Sequence, residues 1–164
     1  MDSELKSAIV NKHWKKNKDK IDNWTPKKED HIVLIKLIEK FKLKSFFEIG
    51  SYSGFTTELL SSHPNIKRWK AIDINPRVAH PNILKCDSLD YKPSKEFNGE
   101  IEHYDLVFID GDHLRVKEDT ELALKMKPKI ITWHDYNSQP EVKRIIDNFY
   151  QPVRVEANIA WKKP

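Results

Sequence analysis

Glycine is scarce in this sequence, four residues among 164, so each is expected where the backbone must turn sharply or come close to a ligand. Three of them, Gly50, Gly54 and Gly111, fall just after apolar runs that read as strands. Cysteine is scarcer still. A lone Cys86 excludes an internal disulfide framework and suits a reducing cytosol. Free cysteine is usually buried, so Cys86 reads as a small buried residue on a strand. No apolar run comes near the roughly 20 residues needed to span a bilayer. The opening stretch, MDSELKSAIV, lacks a basic segment followed by an apolar one, so no secretory leader is expected. These absences point to a cytoplasmic protein without a membrane partner. The lack of repeats and low-complexity linkers points to one domain.

What is present suits a globular chain: 38% hydrophobic and 33% charged residues, with a mean hydropathy of −0.70. That is enough for one domain with a real core. The charge is uneven. Residues 1–45 carry 12 Lys against 7 acidic residues, a net of +5, so with +4 overall the remainder is −1. Within that part, Lys12 to Lys20 (KHWKKNKDK) interleaves Trp14 with lysines, a pattern that suits an anionic partner. A solvated, lysine-rich helix face is the favoured reading, because charge runs are normally exposed.

Along the chain, Thr25-Pro26 reads as a helix start, a threonine cap followed by proline at the first helical position. Ile32, Ile35, Leu37, Ile38 and Phe41 follow with helical spacing and would pack on a sheet. Strands are expected at Ser45–Ile49, Arg68–Ile74, Ile83–Cys86, Tyr104–Ile109 and Lys129–Trp133. Val153–Trp161 would add one or two closing strands. Helices are expected from Thr56, over Val116–Met126 and over Glu141–Tyr150. Strands alternating with helices predict a doubly wound α/β sheet with helices on both faces. Residues 1–44 then form an N-terminal helical segment packed on a core of residues 45–164. Trp133 and Trp161 read as core or sheet-face residues.

The chemistry gathers at the strand ends. In YDLVFIDGDH, an apolar strand runs into Asp110, Asp112 and His113; in ITWHDY, another delivers His134, Asp135 and Tyr136. Open α/β sheets keep their ligands at the carboxyl ends of strands. Carboxylates beside an apolar strand are costly unless a metal, a donor or a proton meets them. FEIGSYSGFTT is a strand, a glycine turn and a helix start, which offers free N–H groups to a ligand. It is not G-x-G-x-x-G, because Tyr52 holds the middle glycine position, and a pyrophosphate ligand is correspondingly disfavoured. About 25 residues on, AIDINP places Asp73 to accept from ribose hydroxyls, and CDS places Asp87 and Ser88 where an adenine edge could meet them.

Taken together and in this order, EIGSYSG, AIDINP and CDS resemble the motifs of class I S-adenosylmethionine-dependent methyltransferases, over roughly residues 45–164. The resemblance implies a Rossmann-like, seven-stranded, mostly parallel sheet with helices on both faces. It implies S-adenosyl-L-methionine as cofactor, with Glu48, Gly50, Ser51, Tyr52 and Ser53 at its methionine end. Asp73 and Ile74 would lie at the ribose, Asp87 and Ser88 at the adenine, and Asp110 beside the reacting centre. FIDGDH with ITWHDY is similar to the small metal-dependent O-methyltransferases of the macrocin and catechol type. By that likeness Asp110 ligates a divalent cation and His113, at the D-x-x-H spacing, is the base. The second ligand pair, usually two acidic residues or Asp-Asn, is here His134-Asp135. A histidine ligand makes Mn²⁺, Fe²⁺ or Zn²⁺ plausible beside Mg²⁺; alternatively His134 does not ligate. Asp112 would orient His113 or cap the next helix.

The expected activity is thus O-methylation of a hydroxyl on a small molecule or a glycan. The site is open or is closed by the N-terminal helix or a second copy of the chain. Two alternatives stand beside it: a non-catalytic cofactor-binding or partner protein of the same fold, and a nucleic-acid methyltransferase. The second is disfavoured because the fourth strand lacks a D/N-P-P-Y/F motif.

Overall fold

The structure, a computed structural model, describes residues 3–95 and 101–164; Met1 and Asp2 of the expected N-terminal segment lie outside them. One sheet holds β1 (Ser45–Ile49), β2 (Arg68–Asp73), β3 (Ile83–Lys85), β4 (Leu106–Ile109), β5 (Ile130–Trp133), β6 (Arg154–Glu156) and β7 (Ile159–Lys162). The order is β3-β2-β1-β4-β5-β7-β6. The five strands β1–β5 pair in parallel, and β7 runs antiparallel to both β5 and β6. The doubly wound, mostly parallel sheet expected from the alternation of elements is the one observed. The closing segment resolves into two strands joined by a tight turn at Ala157 and Asn158.

Every residue of β1, β4 and β5 is buried, because helices cover both faces of a parallel sheet. The helices are α1 (Ser3–Lys16), α2 (Lys28–Lys40), α3 (Phe55–Ser61), α4 (Val116–Lys125) and α5 (Pro140–Phe149). Successive strand residues point to opposite faces, and the two cores divide accordingly. Phe46 and Phe108 pack with Val10, Leu34, Ile38 and Leu59 from α1, α2 and α3. Phe47, Val107 and Trp133 pack with Leu122 and Ile146 from α4 and α5. Trp133 and Trp161 are both buried, as expected, and the Trp133 indole N–H donates to the Thr120 hydroxyl at 2.8 Å. Among the described residues, no helix is long and apolar enough to cross a membrane.

Two local expectations need correction. Helix α2 begins at Lys28, because the Thr25 hydroxyl is engaged within its own turn: it accepts the Asp22 N–H and donates to the Asp22 carboxylate, both at 3.1 Å. Asp30 replaces it at the helix start, accepting the Lys27 N–H at 3.0 Å. Cys86 lies just past β3 and is half-buried at the wall of a cleft, not buried on a strand. The lysines of Lys12–Lys20 are all exposed, as the solvated reading expects, while residues between them dock on the fold. Lys16 and Lys20 both reach Glu58 of α3, at 3.4 and 2.6 Å, and the Trp14 indole donates to His31 Nδ1 at 3.1 Å.

Candidate active site

Strand register builds the site. Ile49 pairs with Ile72 on one side and Ile109 on the other, and Ile109 pairs with Trp133. The residues that follow, or in β2 end the strand, therefore form a row at the carboxyl edge: Asp73, Gly50, Asp110 and His134. The chain runs outward from β1 to β3 and then returns to β4 beside β1, so the order reverses between Gly50 and Asp110, where such sheets bind ligands. Gly50 has φ +90°, and a Cβ there would sit 2.2 Å from the Asp110 carbonyl oxygen. No other residue fits between the two loops. Gly54, at φ +70°, leaves room for the Val78 side chain, 2.8 Å from where its Cβ would be.

A cleft of ≈ 1220 Å³ opens along this row, more than a pocket of about 300–1,000 Å³ for one small ligand requires. At its floor Glu48 is 1% exposed and receives the Thr57 hydroxyl; burial pushes its pKa up to about 8. Ser51 is buried at the cleft wall with a hydroxyl that has no hydrogen-bond partner among the described residues. Asp73 takes the Tyr52 N–H at 2.8 Å on one oxygen and the Asn75 N–H at 2.7 Å on the other. Tyr52, Ser53, Ile74 and Ser88 line the cleft as well. An orphaned hydroxyl beside a glycine turn, with a carboxylate at the end of the neighbouring strand, fits a ligand that carries a charged head and a ribose.

Asp87 is more committed than expected. Its Oδ1 accepts the Leu89 N–H at 3.0 Å, and Arg115 lies 2.8 Å from both of its oxygens. Those hydrogen bonds, to Leu89 and to Arg115, hold its carboxyl below the ordinary range. Behind it lies Asp119, a residue the sequence reading missed: buried, its Oδ1 without a hydrogen-bond partner among the described residues, and its pKa pushed by burial up to about 6. A carboxylate on an amphipathic helix reads as solvent-facing until the strand-end loop folds over it.

At the other end, three carboxylates surround one imidazole. His134 Nδ1 lies 2.8 Å from Asp110 Oδ1 and 3.3 Å from Asp135 Oδ2, and its Nε2 lies 3.2 Å from Asp30 Oδ2. Burial works against charge on this ring, but the carboxylates more than reverse it and push its pKa up to about 12. Burial raises the Asp110 carboxyl against the pull of His134. Asp135 is also penalised by burial, yet the hydrogen bond and charge of His134 hold it well below the usual range. The expected cost of strand-end carboxylates is thus met here by an imidazolium donor. Asp135 has φ +60°, a conformation Asp tolerates better than most residues, and its Oδ1 accepts from Ser138 at 2.5 Å and from Asn158 at 2.9 Å.

His113 Nε2 meets Asp135 Oδ2 at 2.9 Å. Donation from Nε2 to a carboxylate leaves Nδ1 as the basic nitrogen. Asp112 takes the capping role of its two expectations, accepting the Leu114 N–H at 2.9 Å. Asp110, His134 and Asp135 each offer a ligand atom within 4.8 Å of the others. Metal–ligand bonds of about 2.1 Å place neighbouring donors roughly 3 Å apart in an octahedron, so the 2.8 and 3.3 Å separations fit a divalent cation. Asp30 and Asn158 also line this end and carry no sequence signal: nothing in the chain links residue 30 to a strand end more than 100 positions later.

No protein-family model matches the chain, and comparison with curated proteins finds no match either. Solved structures do match. An O-methyltransferase from Bacillus cereus in complex with S-adenosylhomocysteine shares 17% identity over 96% of this chain and 91% of its own, with a TM-score of 0.59. The O-methyltransferase TomG from Streptomyces achromogenes, involved in tomaymycin synthesis and solved with S-adenosylmethionine, shares 14% over 93% and 87%, with a TM-score of 0.59. The S-adenosylhomocysteine-bound methyltransferase PaMTH1 from Podospora anserina shares 10% over 93% and 86%, with a TM-score of 0.67. The chain has the fold of class I S-adenosylmethionine-dependent O-methyltransferases.

Proposed function

We propose that this protein is an S-adenosylmethionine-dependent O-methyltransferase, assisted by a divalent cation, that methylates a hydroxyl of a small molecule or glycan. One observation carries the reading: His113, backed by Asp135, stands beside a donor triad at the strand ends that also line a cleft large enough for two ligands. Bound S-adenosylmethionine would supply an activated methyl group, so the protein's task is to position the acceptor. Ser51 and Asp73 hold the donor's polar ends, and Glu48 stands near the first of them. A cation at Asp110, His134 and Asp135 would act as a Lewis acid that lowers the acceptor's pKa. His113 Nδ1 accepts the hydroxyl proton, and Asp135 stabilises the imidazolium so formed.

The acceptor end favours a hydroxylated ring. Trp24 is 73% exposed at the cleft wall, and Asn137 and Gln139 line the same cleft, which offers a flat apolar face and hydrogen-bonding groups. The proposal places the protein in the cytoplasm, where Cys86 stays reduced. The test is calorimetric titration with S-adenosylhomocysteine and Mn²⁺, followed by turnover assays on sugars and catechols. Asp110→Ala and Asp135→Ala should keep cofactor binding and lose the cation. His113→Ala should lower kcat by about 10²–10⁴-fold with both ligands still bound. Cofactor binding without turnover on any hydroxyl, and indifference to His113→Ala, would sink the enzymatic reading.

A further inference from the structure

Resting on the cation reading above, we infer that Asp30 is a positioning residue for His134: it holds the ring through Nε2, so that Nδ1 is the nitrogen presented to a divalent cation between Asp110 and Asp135. Asp30 belongs to the first turn of α2 and is 1% exposed, yet it lies against a residue 104 positions away. A helix-start role accounts for one of its contacts, the Lys27 N–H at 3.0 Å on Oδ2. The other two have no such explanation. Oδ1 accepts the Asn158 N–H at 2.8 Å, and Oδ2 meets His134 Nε2 at 3.2 Å.

The chemistry of the pair decides which nitrogen keeps its proton when a cation binds. A carboxylate only accepts, so the proton between Asp30 and His134 belongs to Nε2. The other nitrogen, Nδ1, faces the carboxylate oxygens of Asp110 and Asp135 at 2.8 and 3.3 Å; its proton points at those oxygens in the imidazolium, and a cation bound between them would displace it and take the lone pair. A ligating histidine generally depends on such a partner for its orientation, and loss of the partner weakens metal affinity by about 10–100-fold. Asn158 extends the arrangement. Its backbone N–H fixes Asp30, while its side chain donates to Asp135 Oδ1 at 2.9 Å. One turn, between β6 and β7, therefore anchors the partners of both His134 and the cation.

Two measurements test this. In the first, Mn²⁺ and S-adenosylhomocysteine are titrated into wild type and Asp30→Asn. The expected result is Mn²⁺ affinity lowered about 10–100-fold with cofactor affinity within twofold. Equal Mn²⁺ affinity in the two proteins would overturn the role of Asp30 and leave the cation site standing. No Mn²⁺ binding to wild type would remove the cation reading and this inference with it. The second needs no variant and covers the case in which Asp30→Asn fails to fold. A long-range ¹H–¹⁵N correlation spectrum of wild type saturated with Mg²⁺ should show His134 protonated at Nε2 only. A ring protonated at Nδ1, alone or with Nε2, overturns the inference.

Discussion

Glu48 sits on the floor of the cleft, fully enclosed, with the Thr57 hydroxyl donating to it. Burial raises its pKa from 4.5 to about 8, so between those values the folded protein keeps a proton that the unfolded chain has lost. Stability from this group therefore falls as pH rises through that window. Chemical denaturation of the ligand-free protein and of Glu48→Gln should show it. The difference, wild type minus variant, declines from pH 5 to pH 8 and is flat below about pH 4. A difference independent of pH would mean that Glu48 is ionised in the fold. Gly50 is constrained in the opposite sense, by space. Gly50→Ala would place a methyl group 2.2 Å from the Asp110 carbonyl oxygen, at φ +90°. Strain and overpacking together should cost more than about 2 kcal/mol and abolish S-adenosylhomocysteine binding, because the loop would have to shift.

Helix α2 joins the apolar core to the site. Its inner face buries Leu34, Ile35 and Ile38 against the sheet, and its first turn carries Asp30 to His134. Leu34→Ala should lower stability by about 2–5 kcal/mol, seen as an earlier urea midpoint with an unchanged slope. Since the helix docks as one body, Mn²⁺ affinity should weaken less in this variant than in Asp30→Asn. The periodic apolar residues of α2 were legible in the sequence; its role at the site was not. Periodicity reports which face is buried and says nothing of what stands opposite the helix end. The same holds for α4, whose span was evident while the burial of Asp119 was not. The strands were clearer still: Ser45–Ile49 matches its observed limits, because a short, largely apolar run closed by a glycine has few other uses.

The whole molecule is a sheet with a ligand cleft along one edge, so occupancy should stabilise it globally. At a hundredfold excess over its dissociation constant, S-adenosylhomocysteine should add about 2.7 kcal/mol. For a chain of this size that raises Tm by roughly 5–10 °C. Mn²⁺ should add a further increment that EDTA removes. An unchanged Tm with saturating ligand would mean that the cleft does not bind it.

The residues alone determined the order of elements and the clustering of Asp110, His113, His134 and Asp135 at two strand ends, since apolar runs and glycine turns are local and leave local marks. They also determined which side chains had the chemistry to bind a cation or move a proton. The tertiary structure decided how those groups are paired. Register set Asp73, Gly50, Asp110 and His134 in one row. Docking of α2 and of the β6–β7 turn brought Asp30 and Asn158 into contact with them. Arg115 took the carboxylate of Asp87. Those pairings join residues tens to more than a hundred positions apart, where distance in sequence carries no information about distance in space.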